Sequence, residues 1–227
     1  MSPSGTSPSK TSRSKARPPE TSPSKARPPE TSTPAKRLIA IGASWGGLEA
    51  IGRLLEALPR DFHSAVAVVQ HRGPDSMHGV MRQYLADRTS LEVIDAEDKD
   101  PIEPGKVYIA PADYHLLVDQ GMLALSLEAP VALSRPSVDV LFASAADSYG
   151  PDVTAVVLTG ANGDGSQGAV AVKQAGGTVL VQDPDEAERR EMPEAVIATG
   201  AVDGVYRIED IAARLAELDR NGNEDES

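Results

Sequence analysis

The sequence predicts an α/β domain: a mainly parallel, doubly wound, Rossmann-like sheet with helices on both faces, plus a small antiparallel hairpin insertion. Short apolar runs rich in β-branched residues alternate with amphipathic helical patterns along most of the chain. These runs are continuously apolar, as expected of parallel strands that are covered on both faces. In the middle of the chain, three further runs follow one another without a helical pattern between them.

The first part of the domain contains two strand–helix pairs. A strand over 37–41 precedes a helix over 47–58, in which apolar residues recur every three or four positions. A strand over 65–70 precedes a second helix from about Ser76 to Ala86. Each pair is typical of the repeating unit of a parallel sheet.

The middle of the domain is interpreted as an antiparallel insertion. It contains the runs KVYIA (106–110), HLLVD (115–119) and MLALSL (122–127). The residues DQG at 119–121 supply the turn between the last two runs, because Gly accepts the backbone angles that tight turns need.

The last part of the domain returns to the alternation of strands and helices. Strands are predicted over 153–159 and 177–181. Helices are predicted near 166–175, near 193–199 and over about 208–219.

Composition divides the chain into a basic Ser/Pro-rich tail (1–36), a folded domain (37–219) and a polar C-terminal tail (220–227). The N-terminal part has almost no large apolar side chain and repeats SKARPPETS at 14–22 and 24–32. Such a segment cannot bury enough surface to offset the entropy lost on ordering, so we expect it to be disordered.

Charge divides the chain at the same place. Residues 1–37 contain eight Lys and Arg and two Asp and Glu, a net charge of +6, so the whole-chain charge of −12 leaves −18 for the remainder. The acidic body offers no basic patch and few aromatic side chains, which argues against nucleic-acid binding. We interpret the tail as a solvated tether.

The residue types that are missing narrow the function classes further. The absence of cysteine excludes a disulfide framework, a thiol nucleophile and a thiolate metal site. The sequence contains no run of about 18 apolar residues, so no membrane span is expected. The N-terminus lacks the apolar segment of a signal peptide. We therefore expect a cytoplasmic protein.

Three polar residues leave the same edge of the predicted sheet. Ser44 follows the first strand, His71 follows the second, and Asp164 follows the strand over 153–159. Ligands of an open parallel sheet bind beyond the carboxyl ends of its strands. A serine, a histidine and a carboxylate at that edge have the chemistry of a nucleophile, its general base and a group that orients the base.

The surroundings of Ser44 leave several interpretations open. GASWG (42–46) fits the G-x-S-x-G nucleophile elbow, but its glycines could serve only a tight strand-to-helix turn. A phosphate-binding loop is disfavoured because the spacing from Gly42 does not match G-x-G-x-x-G, and Gln70 and His71 stand where an acidic residue is expected. The order Ser, His, Asp after a single strand argues against the ordinary α/β-hydrolase fold.

The other candidates also have structural interpretations. His63, His78 and His115 do not directly follow a strand of the predicted parallel sheet and are expected to be surface or structural residues. Asp164 could cap the helix that follows it, or it could orient His71 and stabilise its charged form.

A series of motifs extends in order from about Arg37 to Ile211. They are IGASWGG, VVQHR, PGKVYIAPADYHLLV, RPSVDVLFASAA, LTGANGDG, and QDP followed by MPEAV and TGAVD. Together they resemble the catalytic domain of chemotaxis protein-glutamate methylesterases, the CheB type. The resemblance implies that 37–219 is an α/β catalytic domain that hydrolyses γ-glutamyl methyl esters on the cytoplasmic helices of chemoreceptors. Some members also deamidate receptor glutamines.

The resemblance also implies roles for individual residues. By matched position, Ser44 resembles the nucleophile, His71 the general base and Asp164 the residue that orients the base. The amides of Trp45 and Ala161 resemble the oxyanion hole. The resemblance implies no metal or cofactor, and it does not identify the substrate-binding residues.

Several positions depart from the family pattern. Trp45 stands where Thr is common, Arg72 and Ala161 replace methionines, Asn162 replaces a glycine, and Glu191 replaces a glycine before MP. These changes affect the expected substrate surface more than the three catalytic candidates.

The expected regulation also differs from the family pattern. Chemotaxis members usually carry an N-terminal phosphoreceiver domain, which the tail 1–36 cannot form. A stand-alone catalytic domain implies either a constitutively open enzyme or control in trans by a regulatory partner. The alternative function is a non-catalytic signalling module that keeps the fold and binds a helical partner. A nucleotide-binding α/β domain is a third, more distant interpretation.

Overall fold

The computed structural model describes residues 34–73 and 79–224. These residues form nine strands: β1 (Leu38–Ala43), β2 (Ala65–Gln70), β3 (Glu92–Asp95), β4 (Lys106–Ile109), β5 (His115–Asp119), β6 (Met122–Ser126), β7 (Val153–Val157), β8 (Thr178–Gln182) and β9 (Gly204–Tyr206). They also form six α-helices: α1 (Gly47–Glu56), α2 (Val80–Ala86), α3 (Val138–Tyr149), α4 (Ser166–Gln174), α5 (Glu191–Ile197) and α6 (Ile208–Glu224).

Seven strands form one sheet in the order β3-β4-β2-β1-β7-β8-β9. Every neighbouring pair in this sheet is parallel. The central strand β1 pairs with β2 on one side and with β7 on the other, so Leu38 lies level with both Ala65 and Val153. Strands β5 and β6 form a separate antiparallel pair. The predicted fold class, a parallel doubly wound sheet with an antiparallel hairpin, is confirmed.

Each face of the sheet carries its own apolar core. Alternate residues of a strand point to opposite faces. In β1, Leu38 and Ala40 therefore pack with residues of α3, α4, α5 and the β5–β6 hairpin. Ile39 and Ile41 pack on the other face with residues of α1, α2 and α6. Because all four side chains are buried, β1 is apolar throughout, which explains its continuous apolar run.

Most predicted elements are present, with ends shifted by a few residues. The helix predicted to end at 219 continues to Glu224. The helix expected from Ser76 is described only from Val80, and Ser76 itself lies outside the described residues. The DQG turn is present, and Gln120 and Gly121 both have positive φ.

The interpretation of KVYIA as part of the antiparallel insertion is wrong. This run forms β4, which pairs in parallel with both β2 and β3 in the main sheet. Val107, Tyr108 and Ile109 are all buried, so β4 is covered on both faces like the other inner strands. The edge strand β3 was not predicted, and its partly polar sequence EVID is half-exposed.

Two further elements were not predicted. The edge strand β9 has only three residues. Helix α3 contains the β-branched residues Val138 and Val140, which lower helix propensity. Val138, Leu141, Phe142 and Ala145 are all buried, so tertiary packing stabilises this helix.

The predicted disorder of the N-terminal tail concerns residues that lie outside the described part of the chain, except 34–36. Ala35 is buried and donates its backbone N–H to the carbonyl of Ile102 at 2.8 Å. The packed domain therefore begins at least two residues before the predicted boundary at 37.

Candidate active site

Three adjacent strands deliver the candidate residues to one edge of the sheet. The order β2-β1-β7 places the loops after these strands side by side. The Ser44 backbone N–H donates to the Thr159 carbonyl at 3.0 Å, and the His71 N–H donates to the Ala43 carbonyl at 3.0 Å. These bonds continue the strand ladders past the strand ends and hold the loops at fixed positions.

Ser44 occupies a tight turn between β1 and α1. Gly46 in this turn adopts a left-handed backbone conformation, with φ of 75°. A Cβ on Gly47 would lie 2.6 Å from the Ala43 Cβ, so the turn is too close for a larger residue there. The Ser44 side chain is partly exposed, and its hydroxyl makes no hydrogen bond to another described residue.

Asp164 is buried and accepts hydrogen bonds on both carboxylate oxygens. Oδ2 accepts from His71 Nε2 and from the Val138 backbone N–H, both at 2.7 Å. Oδ1 accepts from the Ser137 hydroxyl at 2.9 Å and from the Asp139 N–H at 3.0 Å. Two of these donors belong to the first turn of α3, where backbone N–H groups lack partners within the helix. Asp164 therefore caps α3 rather than the helix that follows it.

This environment keeps Asp164 charged. Burial of the carboxyl acts to raise its pKa, but the hydrogen bonds from His71 and from the backbone N–H groups of Asp139 and Val138 outweigh burial and lower the pKa. A charged carboxylate is an acceptor only. The His71 nitrogen that faces it therefore carries a proton.

His71 is mostly buried, and both of its ring nitrogens have partners. Nε2 faces the Asp164 carboxylate, and Nδ1 lies 3.2 Å from Nδ2 of Asn162. Ser44, His71 and Ala161 line the same cleft. The structure thus joins His71 to Asp164 directly and places Ser44 in the wall of the cleft that His71 also lines.

Three supporting residues were missed by the sequence analysis. Gln70 donates from Nε2 to the carbonyls of Ser44, at 2.6 Å, and His71, at 3.1 Å. The Thr159 hydroxyl donates to the Trp45 carbonyl at 2.9 Å. Ser137 donates to Asp164, as described above. A polar residue at the end of an apolar strand is the signal that could have identified Gln70 and Thr159.

The two expected oxyanion donors also line the cleft. Trp45 and Ala161 both contribute to its wall. Neither backbone N–H donates to another group within the described residues. Both amides are therefore available to a bound oxygen atom.

Trp45 is the exposed aromatic side chain in the wall of the cleft. The Trp45 side chain is 59% exposed, and its indole N–H donates to Glu188 at 2.7 Å. The Arg189 guanidinium lies 5.6 Å from the centre of the Trp45 ring. On the other side of His71, a second hollow is lined by Arg72 and Arg135.

The remaining histidines are positioned differently. His115 is buried and structural: its Nδ1 accepts from the Ser137 N–H at 3.2 Å, and its Nε2 contacts the Ala129 carbonyl at 3.2 Å. His63 is exposed and lies beside Asp219. His78 lies outside the described residues.

Two further features are absent from the described residues, 34–73 and 79–224. Within these ranges, no group of three or more His, Asp or Glu side chains is arranged to hold a metal ion. None of the helices there is both long and apolar enough to cross a membrane.

Comparison with known proteins identifies the family. The CheB methylesterase family model matches residues 39–215. A Leptospira interrogans protein, provisionally named protein-glutamate methylesterase/protein-glutamine glutaminase, is 40% identical over 187 residues, which are 82% of this chain and 96% of that protein. An Anaeromyxobacter dehalogenans protein with the same two activities in its name is 40% identical over 183 residues, but the match spans only 53% of its length.

A solved structure agrees with the sequence matches. The crystal structure of the Thermotoga maritima CheB methylesterase catalytic domain superposes with a TM-score of 0.76 at 35% identity, covering 80% of this chain and 98% of that one. The resemblance inferred from the motifs is confirmed. The chain belongs to the CheB methylesterase family.

Proposed function

We propose that this protein is a serine hydrolase that removes methyl esters from glutamate side chains of chemoreceptor-like proteins. One observation carries the proposal: a buried, charged Asp164 holds His71 in a cleft that Ser44 also lines, and the Ser44 hydroxyl has no hydrogen-bond partner within the described residues. The names of the relatives support this activity. Since receptor methylation sites of this kind lie on cytoplasmic helices, we also place the protein in the cytoplasm.

The reaction uses Ser44 as nucleophile and His71 as general base. Because Nε2 of His71 already carries a proton, Nδ1 accepts the hydroxyl proton as Ser44 Oγ attacks the ester carbonyl. The N–H groups of Trp45 and Ala161 stabilise the oxyanion. Asp164 stabilises the imidazolium that forms.

The tetrahedral intermediate formed by this attack collapses to an acyl-enzyme, which is then hydrolysed. The carbonyl re-forms, the bond to the methoxy oxygen breaks, and His71 gives its proton to that oxygen, so methanol leaves. The glutamyl group remains on Ser44 as an ester. Water attacks this ester while His71 accepts its proton. The bond to Ser44 Oγ then breaks, His71 returns the proton to Oγ, and the substrate side chain is left as a glutamate carboxylate.

The same site could act on a glutamine side chain. In that case the protonated leaving group is ammonia rather than methanol, and the remaining steps are unchanged. The names of the relatives pair the two activities, so we include deamidation in the proposal.

Methanol release from methylated receptor cytoplasmic fragments tests the proposal. We expect wild-type protein to release methanol and Ser44→Ala to release none, because the acyl-enzyme cannot form. Thermal unfolding of both proteins serves as the control, since the Ser44 hydroxyl makes no hydrogen bond in the part of the chain that the structure describes. Full activity in Ser44→Ala would show that the mechanism is wrong.

A fluorophosphonate probe separates the hydrolase from a non-catalytic binding module. The probe reacts with an activated serine whatever the natural substrate is. Labelling at Ser44 without methanol release would indicate a hydrolase acting on another protein. Absence of both would favour the binding module.

A further inference from the structure

The side chain of Asn162 contacts the one nitrogen of His71 that the proposed mechanism needs. Its Nδ2 lies 3.2 Å from Nδ1 of His71. Its Oδ1 accepts the backbone N–H of Asp164 at 3.2 Å. The second contact determines the orientation of the amide, because only the oxygen can accept that N–H. The amide nitrogen therefore faces the ring and acts as donor.

The tautomer of His71 follows from the same contacts. Nε2 faces the charged carboxylate of Asp164 and carries the ring proton. Nδ1 then bears the lone pair, and an amide N–H is a suitable donor to it. Asn162 and Asp164 thus select the same neutral form of the ring from its two sides.

This arrangement places Asn162 in competition with Ser44. A ring nitrogen has a single lone pair in the ring plane, so it accepts one well-aligned hydrogen bond at a time. The Asn162 amide occupies this lone pair, while the Ser44 hydroxyl has no partner within the described residues. Attack by Ser44 requires that Nδ1 be released.

We propose that Asn162 is a positioning residue that restrains the base: it holds His71 in the correct tautomer but occupies Nδ1 until a substrate displaces it. This inference rests on the proposed function, because it assigns Nδ1 as the acceptor of the Ser44 proton. The amide itself neither gains nor loses a proton. It breaks one hydrogen bond as Ser44 makes another.

The rate at which a fluorophosphonate labels Ser44 measures this restraint. A neutral hydrogen bond contributes a net free energy that corresponds to about a two- to tenfold change in rate. We expect Asn162→Ala to be labelled faster than wild type by about this factor. Equal or slower labelling would overturn the proposal.

Asn162→Asp provides a variant of the same size with a different hydrogen-bonding pattern. One carboxylate oxygen would still accept the Asp164 N–H, but the other would face Nδ1 and favour a proton there. We expect Asn162→Asp to be labelled slowly at neutral pH and faster at higher pH. The pH midpoint of its labelling rate should lie above that of wild type. An unchanged midpoint would show that the side chain at position 162 does not face Nδ1 and would overturn the proposal.

Ser166→Ala is the matched control for loosening of the same loop. Its hydroxyl donates to the Gly163 carbonyl at 2.7 Å and does not contact His71. We expect its labelling rate and midpoint to match those of wild type. A change equal to that of Asn162→Ala would mean that loop flexibility, not the amide, controls the rate, and would overturn the proposal.

Nitrogen-15 NMR of His71 detects the hydrogen bond between Asn162 and Nδ1 directly, in the absence of substrate turnover. We expect an unprotonated Nδ1 in wild type whose signal shifts in Asn162→Ala as the hydrogen bond is lost. A protonated Nδ1 in wild type, or an unchanged signal in the variant, would overturn the proposal even if labelling occurs. Absence of labelling in every variant, with the NMR contact intact, would instead overturn the proposed hydrolase and the restraint with it.

Discussion

At the scale of single residues, Asp164 is the group on which the site depends most. It accepts two hydrogen bonds on each oxygen while it is almost fully buried. A buried carboxylate is tolerated only when its lone pairs are satisfied. The same bonds connect the start of α3 to His71, so one side chain both stabilises the fold and orients the imidazole ring of His71.

Replacement of this carboxylate should affect catalysis more than folding. Asn at position 164 can face His71 with an N–H, which would favour the wrong tautomer, and it cannot stabilise the imidazolium. We expect Asp164→Asn to lower kcat/KM for methanol release by about 10³- to 10⁴-fold, while circular dichroism shows a folded protein.

Asp139→Asn is the control for this change. Asp139 lies in the first turn of α3 and accepts the Gly168 N–H at 2.8 Å, but it does not contact His71. An amide oxygen keeps this hydrogen bond, so kcat/KM should stay near the wild-type value. Similar losses in both variants would contradict a specific role for Asp164.

At the scale of elements, α3 and α4 cap each other. Asp164, in the loop before α4, accepts N–H groups from the start of α3. Asp139, in the first turn of α3, accepts an N–H from the first turn of α4. The two helix starts therefore cannot separate without exposing donors in both, and Asp164 is held in position by this exchange.

Close packing between the two helices can be tested at Gly168. A Cβ at this position would lie 2.5 Å from the Phe142 Cβ and 3.1 Å from the Asp139 Cα. We expect Gly168→Ala to lower the free energy of unfolding by about 1–3 kcal/mol, because the helices must move apart. Urea unfolding measures this loss.

Gly163→Ala is the control for this change, because a Cβ there would lie at an ordinary 3.6 Å from the Ala195 Cβ. Its free energy of unfolding should not fall. Equal losses in both variants would contradict a specific close contact at Gly168.

At the scale of the whole molecule, the described residues form two apolar cores, and one of these lies beneath Asp164. The core that contains Phe142 packs against α3 and α4. The core that contains Leu54 lies on the opposite face of the sheet, beneath α1, α2 and α6. Phe142 and Leu54 are both fully buried. Replacing either one should lower stability by a similar amount, but only Phe142 belongs to the core beneath Asp164.

We expect Phe142→Ala and Leu54→Ala each to lower the free energy of unfolding by about 2–5 kcal/mol. Only Phe142→Ala should also lower kcat/KM of the folded protein, by about tenfold, because a small displacement of catalytic groups has large effects on rate. Urea midpoints and methanol release measure the two quantities. Equal kcat/KM in both variants would show that the site does not depend on the core beneath it.

Local sequence signals were enough to predict the fold class and the edge of the sheet where the candidate site lies. Apolar strand residues and amphipathic helix patterns are local signals, and the carboxyl ends of parallel strands meet at one edge. For this reason Ser44, His71 and Asp164 could be selected before their contacts were known. The same local signals could not show that β4 belongs to the main sheet, because a short apolar run does not reveal its partner strand.

How these residues are held in place follows only from the packed fold. Helix α3 has weak local signals and is stabilised by packing and by Asp164, which is 26 residues away from Val138 in sequence. Asn162 meets His71 across 91 residues. The capping of α3, the tautomer of His71 and the occupation of its Nδ1 depend on distances between groups that are remote in the chain, and only the packed sheet brings these groups together.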